Sequence, residues 1–201
     1  MVLREGDYDV FHQTNFGTYC LDSLGDKPMV TTYHDANFLH FDPHPDLVKR
    51  QKASLERADV IICVSENTKN DMLKYFNVDE KKARVVYHGI DIPDLSRLPK
   101  RRLVGDEYIL FVGRRHRHKN FKRFIEAFAI VHTKHPDIKL VCTGDKFTSE
   151  EISLMTDLKV IDAVKLIQAN EVEMKMLYRD ASFFIFPSLY EGFGMPILEA
   201  W

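Results

Sequence analysis

Two carboxylates eight positions apart, Glu191 and Glu199, bracket a glycine-rich segment, Gly192-Phe-Gly-Met-Pro196. The apolar run before it, Phe183-Phe-Ile-Phe186, reads as a buried strand, and Met195-Pro-Ile-Leu-Glu-Ala reads as the first turn of a helix. Pro196 suits that turn, because an early helix position has no intrahelical partner for its N–H. Gly192 and Gly194 let the backbone approach a ligand closely. A strand, a Gly-rich loop and a helix N-terminus present free N–H groups, here those of Phe193 to Met195, to an anion. Carboxylates repel a phosphate, so Glu191 and Glu199 are expected to accept hydrogen bonds from hydroxyls on either side of it. A ligand with phosphates at its centre and hydroxyls at both ends fits, and a nucleotide sugar is such a ligand. A lone Gly-x-Gly would be read instead as an ordinary turn with two surface glutamates.

A second stretch carries the complementary charge. Gly113-Arg-Arg-His-Arg-His-Lys119-Asn120 follows a strand and opens a helix, which concentrates positive charge where a diphosphate would bind. By itself it could equally be a solvated basic loop. Nucleic-acid binding is disfavoured, because the patch is single and lacks interleaved aromatics. A third group, His34, Asp35, His40, Asp42 and His44, contains potential metal ligands, but its spacing matches no compact metal motif. His40 and His44 read as surface loop histidines.

These segments together resemble glycosyltransferase family 4, the retaining nucleotide-sugar transferases with the GT-B fold. Glu191-Gly-Phe-Gly-Met-Pro-x-x-Glu199-Ala resembles its E-x7-E signature. Gly113, Arg114, Lys119 and Asn120 resemble, in order and spacing, the segment that clamps the donor diphosphate; Arg115, His116 and Arg117 depart from the family's usual residues there. His34-Asp35 resembles the N-terminal-domain loop whose His reaches the donor sugar across the interdomain cleft. The resemblance implies a transferase that moves a sugar from a nucleotide diphosphate to a hydroxyl acceptor with retention of configuration. His34, Arg114, Lys119 and Glu191 are then the catalytic candidates. Gly113, Asn120, Gly192, Phe193, Gly194, Met195 and Glu199 are the donor-binding candidates. Neither a cofactor nor a metal is implied. The competing class is a non-catalytic nucleotide- or polyanion-binding module, a truncated or degenerate transferase.

The elements that must position these residues alternate. Short apolar runs at Tyr8–His12, Pro28–Tyr33, Asp59–Val64, Arg84–Tyr87, Tyr108–Val112, Ile138–Thr143 and Val164–Ile167 read as strands. Helices are expected at 46–58, at 66–76 with Ser65 as cap, after Asn120 as cap, after Thr148 with Glu151 at capping-box spacing, and after Asn170 as cap with Glu173 at the reciprocal position; Ala36 to Pro45 reads as irregular. Phe121, Phe124, Ile125 and Phe128 recur at helical spacing and read as core. Repeated strand–helix order implies doubly wound parallel sheets. A basic, proline-containing segment at 96–106 reads as a linker between a partial N-terminal Rossmann-like domain (1–95) on the acceptor side and a partial C-terminal nucleotide-sugar domain (107–201).

The totals fit this reading. The 201 residues are 45% hydrophobic and 29% charged with net charge −2, which rules against a disordered tail and gives the chain as a whole no polyelectrolyte-binding character. Three widely spaced cysteines, Cys20, Cys63 and Cys142, read as buried thiols rather than a disulfide framework or zinc site. The N-terminus from Met1 is too charged for a signal peptide, and no apolar run spans a bilayer. The expected location is cytoplasmic, at the inner face of a membrane where acceptors are lipid-linked. The resemblance names glycans, polysaccharides and lipid-linked glycans as acceptors, and so implies peripheral membrane association, although no amphipathic anchor stands out. It also implies an incomplete chain, lacking the family's first strands and its last strands and crossing helix.

Overall fold

A computed structural model describes residues 2–15, 17–41 and 43–201. Met1 and Asp42, both invoked above, lie outside the described residues. The chain divides into two compact units, residues 1–89 with 191–193, and residues 90–190 with 194–201.

In the first unit α1 (Val2–Glu5) precedes β1 (Phe11–Gln13), β2 (Met29–Tyr33), α2 (Asn37–Phe41), α3 (Pro45–Arg57), β3 (Val60–Cys63), α4 (Glu66–Tyr75) and β4 (Ala83–Val85). The four strands form one parallel sheet in the order β1-β2-β3-β4, in register at Thr31↔Ile61 and Ile61↔Ala83. Its core holds Met29, Tyr33, Leu55, Ile61, Cys63 and Met72, all essentially inaccessible. Ser65 caps α4 as expected, and Thr68 closes a capping box with it. Two expectations need correction. The first strand begins at Phe11 rather than Tyr8, whose carbonyl is bound by Lys27 Nζ at 2.8 Å. The segment expected to be irregular contains α2, because Asp35 Oδ1 accepts the Asn37 N–H at 2.9 Å and starts a turn of helix.

In the second unit β5 (Tyr108–Phe111), α5 (Phe121–Lys134), β6 (Lys139–Cys142), α6 (Ser149–Asp157), β7 (Val164–Leu166), α7 (Glu171–Asp180), β8 (Phe183–Ile185) and α8 (Met195–Ala200) follow in turn. The parallel sheet runs β7-β6-β5-β8. Both faces are covered, and the side-chain alternation shows it. Ile109, Phe111, Leu140 and Cys142 pack with Phe121, Phe124, Ile125 and Phe128 of α5 and Met155 of α6. Tyr108, Leu110 and Val141 pack on the opposite face with Leu177 of α7 and Val104. Burying each such large apolar side chain contributes about 1.5–3 kcal/mol. The unalternating apolar strands thus follow from a sheet with two dry faces. The run from Phe183 does form a strand, but it is not the buried one expected: Phe184 and Ile185 are half-buried. Phe183 is 59% exposed, because β8 pairs with β5 on one side and is an edge strand among the described residues.

Capping boxes close at Thr148/Glu151 before α6 and at Asn170/Glu173 before α7. Residues 99–102 are held on α7. Arg179 donates to the carbonyls of Pro99 and Arg101, and Arg102 to that of Asp180.

Candidate functional site

The order β7-β6-β5-β8 means the chain leaves β5 in one direction, winds through β6 and β7, and returns to lie on the other side of β5. In an open parallel sheet such a reversal leaves a crevice beyond the carboxyl ends of the two adjoining strands. The loops there are those after β5 and after β8, the two stretches whose chemistry the sequence singled out.

The β5 loop opens at Gly113, in a left-handed conformation (φ 105°), with its N–H donated to Thr143 Oγ1 at 3.3 Å. Its carbonyl abuts Gly144, where a Cβ would lie 2.7 Å from the Gly113 oxygen. The two consecutive arginines then part company. Arg114 stays outside, 70% exposed, with Nε 3.5 Å from the Asp145 carboxylate. Arg115 turns in. Its Nε meets Glu151 at 2.9 Å, and its Nη2 donates to the carbonyls of Asp145 and Lys146. Its guanidinium lies 4.5 Å from the Phe147 ring centroid. Arg115 therefore ties the loop after β6 to the loop after β5, and its charge is spent inside the protein rather than on a ligand.

The end of the same loop is tied to β8. Asn120 occupies the N-cap position of α5, but it is left-handed (φ 55°) and makes no side-chain cap. Its Nδ2 donates instead to Pro187 O at 3.1 Å, which corrects its expected capping role. The Leu189 N–H donates to His118 O at 2.7 Å. Lys119 Nζ sits 5.4 Å from the Phe186 ring centroid. The structure thus brings Lys119 and Asn120 against Phe186–Leu189, in a register the sequence did not specify. Beyond, Gly194 is left-handed (φ 94°) and starts α8 with Pro196 in its first turn, as expected. Glu199 is exposed on α8, and its Oε2 accepts the Tyr178 hydroxyl at 2.8 Å.

Within the first unit, His34 follows β2 and its Nε2 lies 2.8 Å from Thr14 O. A carbonyl only accepts, so that nitrogen carries the proton. The His34 ring stacks on His88 with centroids 6.1 Å apart. Glu191–Phe193 group with this unit, and the carbonyls of Gly192 and Glu191 accept from Ser65 Oγ and Asn67 Nδ2. Gly192 is buried, and a Cβ there would collide with the His34 carbonyl. His40 is not a bare loop histidine, for its Nε2 lies 3.2 Å from Asp71 Oδ2. His44 occupies the N-cap position of α3 without a side-chain cap. Among the described residues no three His, Cys, Asp or Glu side chains are grouped to hold a metal ion.

Residues 97–201 match the family described as Glycosyl transferases group 1, just over half the chain. The chain belongs to this family. Residues 1–93 match Glycosyltransferase Family 4. O-antigen chain mannosyltransferase RfbU of Salmonella typhimurium is 29% identical over 150 residues, 74% of this chain and 41% of that protein. The Campylobacter jejuni N-acetylgalactosamine-N,N'-diacetylbacillosaminyl-diphospho-undecaprenol 4-alpha-N-acetylgalactosaminyltransferase is 29% identical over 146 residues, 72% of this chain and 39% of its own length. Anabaena Alr3699/HepE, solved with UDP-glucose, superposes with a TM-score of 0.78 at 18% identity, over 99% of this chain and 59% of that one. The chain spans about two-fifths of the length of the two curated relatives. The fold is of the GT-B class, two parallel-sheet α/β units, as the motifs led us to expect. Every basic and acidic group of the two crevice loops in the second unit lies in the region matching the glycosyl transferases group 1 family.

Two groups at this site escaped the sequence reading. Arg115 looked like one more cation in a basic run, and only its contact with Glu151 reveals its orientation. Tyr178 stands one helical turn after Met174 on the inward face of α7. A tyrosine at such a position needs a partner for its hydroxyl, and that was the available signal.

Proposed function

We propose that this chain carries the donor-binding machinery of a retaining glycosyltransferase, which moves a sugar from a nucleoside diphosphate to a hydroxyl acceptor. The observation that carries the reading is the joining of two loops at one crevice. Lys119 and Asn120, at the end of the loop after β5, lie against Phe186 and Pro187, which follow β8, with Arg114 on the same β5 loop. Residues 107–201 form the donor domain in this reading, and residues 1–95 the acceptor side.

Arg114 and Lys119 neutralise the charge that grows on the leaving diphosphate, and the N–H groups of Phe193 to Met195 add fixed dipoles. Such preorganised electrostatics is usually the largest contribution to catalysis. Glu191 holds hydroxyls of the transferred sugar, Glu199 accepts from the ribose, and His34 serves the donor sugar. The bond from the anomeric carbon to the phosphate oxygen breaks, and a bond from that carbon to the acceptor oxygen forms on the same face. The acceptor proton passes to the departing phosphate. The two cations do the charge work, so no metal is required. The relatives' named substrates, O-antigen and undecaprenol-linked glycans, suggest a polysaccharide or lipid-linked acceptor, met at a membrane face.

Titration calorimetry with UDP, GDP and ADP and the matching nucleosides tests the assignment. Lys119→Ala is expected to lose far more affinity for the diphosphate than for the nucleoside. Equal losses would remove Lys119 from the diphosphate site. Affinity that falls steeply with salt and ignores the base would instead favour a polyanion-binding module.

A further inference from the structure

We infer that Tyr178 is a positioning residue for the nucleotide ribose, holding one oxygen of Glu199 so that the other faces the sugar hydroxyls. The inference rests on the donor-site reading above and names a residue that reading does not contain.

Tyr178 sits on α7, whose start is fixed by the Asn170/Glu173 capping box and whose Leu177 is buried against the sheet. Its ring packs edge-on against Phe184 of β8, with centroids 5.6 Å apart. The ring is thus held by the core of the second unit, while the hydroxyl reaches α8 and donates to Glu199 Oε2 at 2.8 Å. Burial, and then the Glu199 carboxylate, push the phenol well above its ordinary pKa, so it remains a donor wherever Glu199 is ionised.

An exposed glutamate on a short helix would otherwise sample many rotamers, and a ligand would have to immobilise it. A carboxylate has two oxygens and about four lone-pair positions. The hydrogen bonds to Glu199 found among the described residues end at Oε2. Oε1 is therefore the atom left to accept from a pair of neighbouring hydroxyls, and a ribose presents such a pair. Tyr178 converts a mobile carboxylate into a preoriented acceptor.

The test uses the 201-residue chain and two probes: whichever of UDP, GDP and ADP binds most tightly, and its 2′,3′-dideoxy form. The unaltered chain is expected to prefer the ribose form. Tyr178→Phe keeps the ring on Phe184 and removes only the hydroxyl; it should weaken the ribose form about tenfold and leave the dideoxy form unchanged. Added to Glu199→Ala, it should cost nothing more. Equal weakening of both ligands, or an unchanged preference in Tyr178→Phe, overturns the inference while leaving the donor reading intact, provided Glu199→Ala abolishes the preference. If Glu199→Ala binds the ribose form undiminished, or if the unaltered chain binds none of the three nucleotides, the donor reading falls and the inference with it.

Discussion

Arg115 Nε and Glu151 Oε1 meet at 2.9 Å with only 3% and 15% of their side chains exposed, while Arg114, the preceding residue, is 70% exposed. One arginine of the basic loop is a structural clamp and its neighbour faces outward. Removing one partner of a buried, hydrogen-bonded pair typically costs ~3–5 kcal/mol, because the other is left buried and uncompensated. Arg115→Met is therefore expected to lower stability by about 3 kcal/mol or more. Arg114→Met should change it by less than ~0.5 kcal/mol, as surface substitutions usually do. Urea denaturation checks both, and equal effects would contradict the division of labour.

Gly144 is left-handed at φ 102°, and a Cβ there would sit 2.7 Å from the Gly113 carbonyl oxygen. Gly144→Ala should cost at least ~1–3 kcal/mol, the usual size of such backbone strain. Gly105 has open space around its would-be Cβ and no positive φ, so Gly105→Ala should be neutral or stabilise by about 0.4–1 kcal/mol. Melting curves of the two variants separate these outcomes, and similar midpoints would show that the approach of the two loops tolerates a side chain.

Asp59 Oδ2 accepts the Met29 N–H at 2.8 Å, and this bond is the main cause holding its carboxyl below the ordinary value; Arg57 and Lys82 assist, against some desolvation. A depressed folded value means the unfolded chain binds the proton more readily. The contribution is present above the unfolded carboxylate value of about 3.9 and fades as pH falls through the folded one. The stability gap between the unaltered chain and Asp59→Ala should hold from pH 7 to about 5 and narrow toward pH 3. A gap that does not narrow would contradict the assignment.

Cys20, Cys63 and Cys142 are buried and unpaired. Burial pushes the Cys63 thiol up to about 11 and the Cys142 thiol up to about 12, and raises that of Cys20. Thiolate is the reactive form, so a thiol reagent at neutral pH should leave the native chain unlabelled and modify all three in denaturant. Labelling of Cys63 in the native state would show that the β3–α4 packing opens.

The parts of this fold legible in the sequence are those decided locally. The boxes at Thr148/Glu151 and Asn170/Glu173 and the Phe121–Phe128 stripe need only neighbours within two helical turns. The parallel strands were legible because two dry faces demand unbroken apolar runs. What sequence spacing could not give was decided at long range. Arg115 turns inward for the Glu151 carboxylate and the Phe147 ring, more than thirty residues away. Asn120 gives up capping for the Pro187 carbonyl. Phe183 reads like its half-buried neighbours Phe184 and Ile185, yet the strand order puts it on an edge. At the site, the residue types and spacing suggested the proposed nucleotide-sugar ligand, but the bond between Tyr178 and Glu199 depends on how α7 and α8 meet.

The central claim is a nucleoside diphosphate site built by the loops after β5 and β8. It is tested most directly by the thermal stability of the 201-residue chain with UDP, GDP and ADP in turn, with and without magnesium. A ligand that binds only the folded state adds about 2.7 kcal/mol at one hundred times its Kd. The account predicts such a rise with one of the three nucleotides, independent of magnesium and absent with the matching nucleoside at equal concentration. No rise with any of them, in a sample shown to be folded, would contradict it.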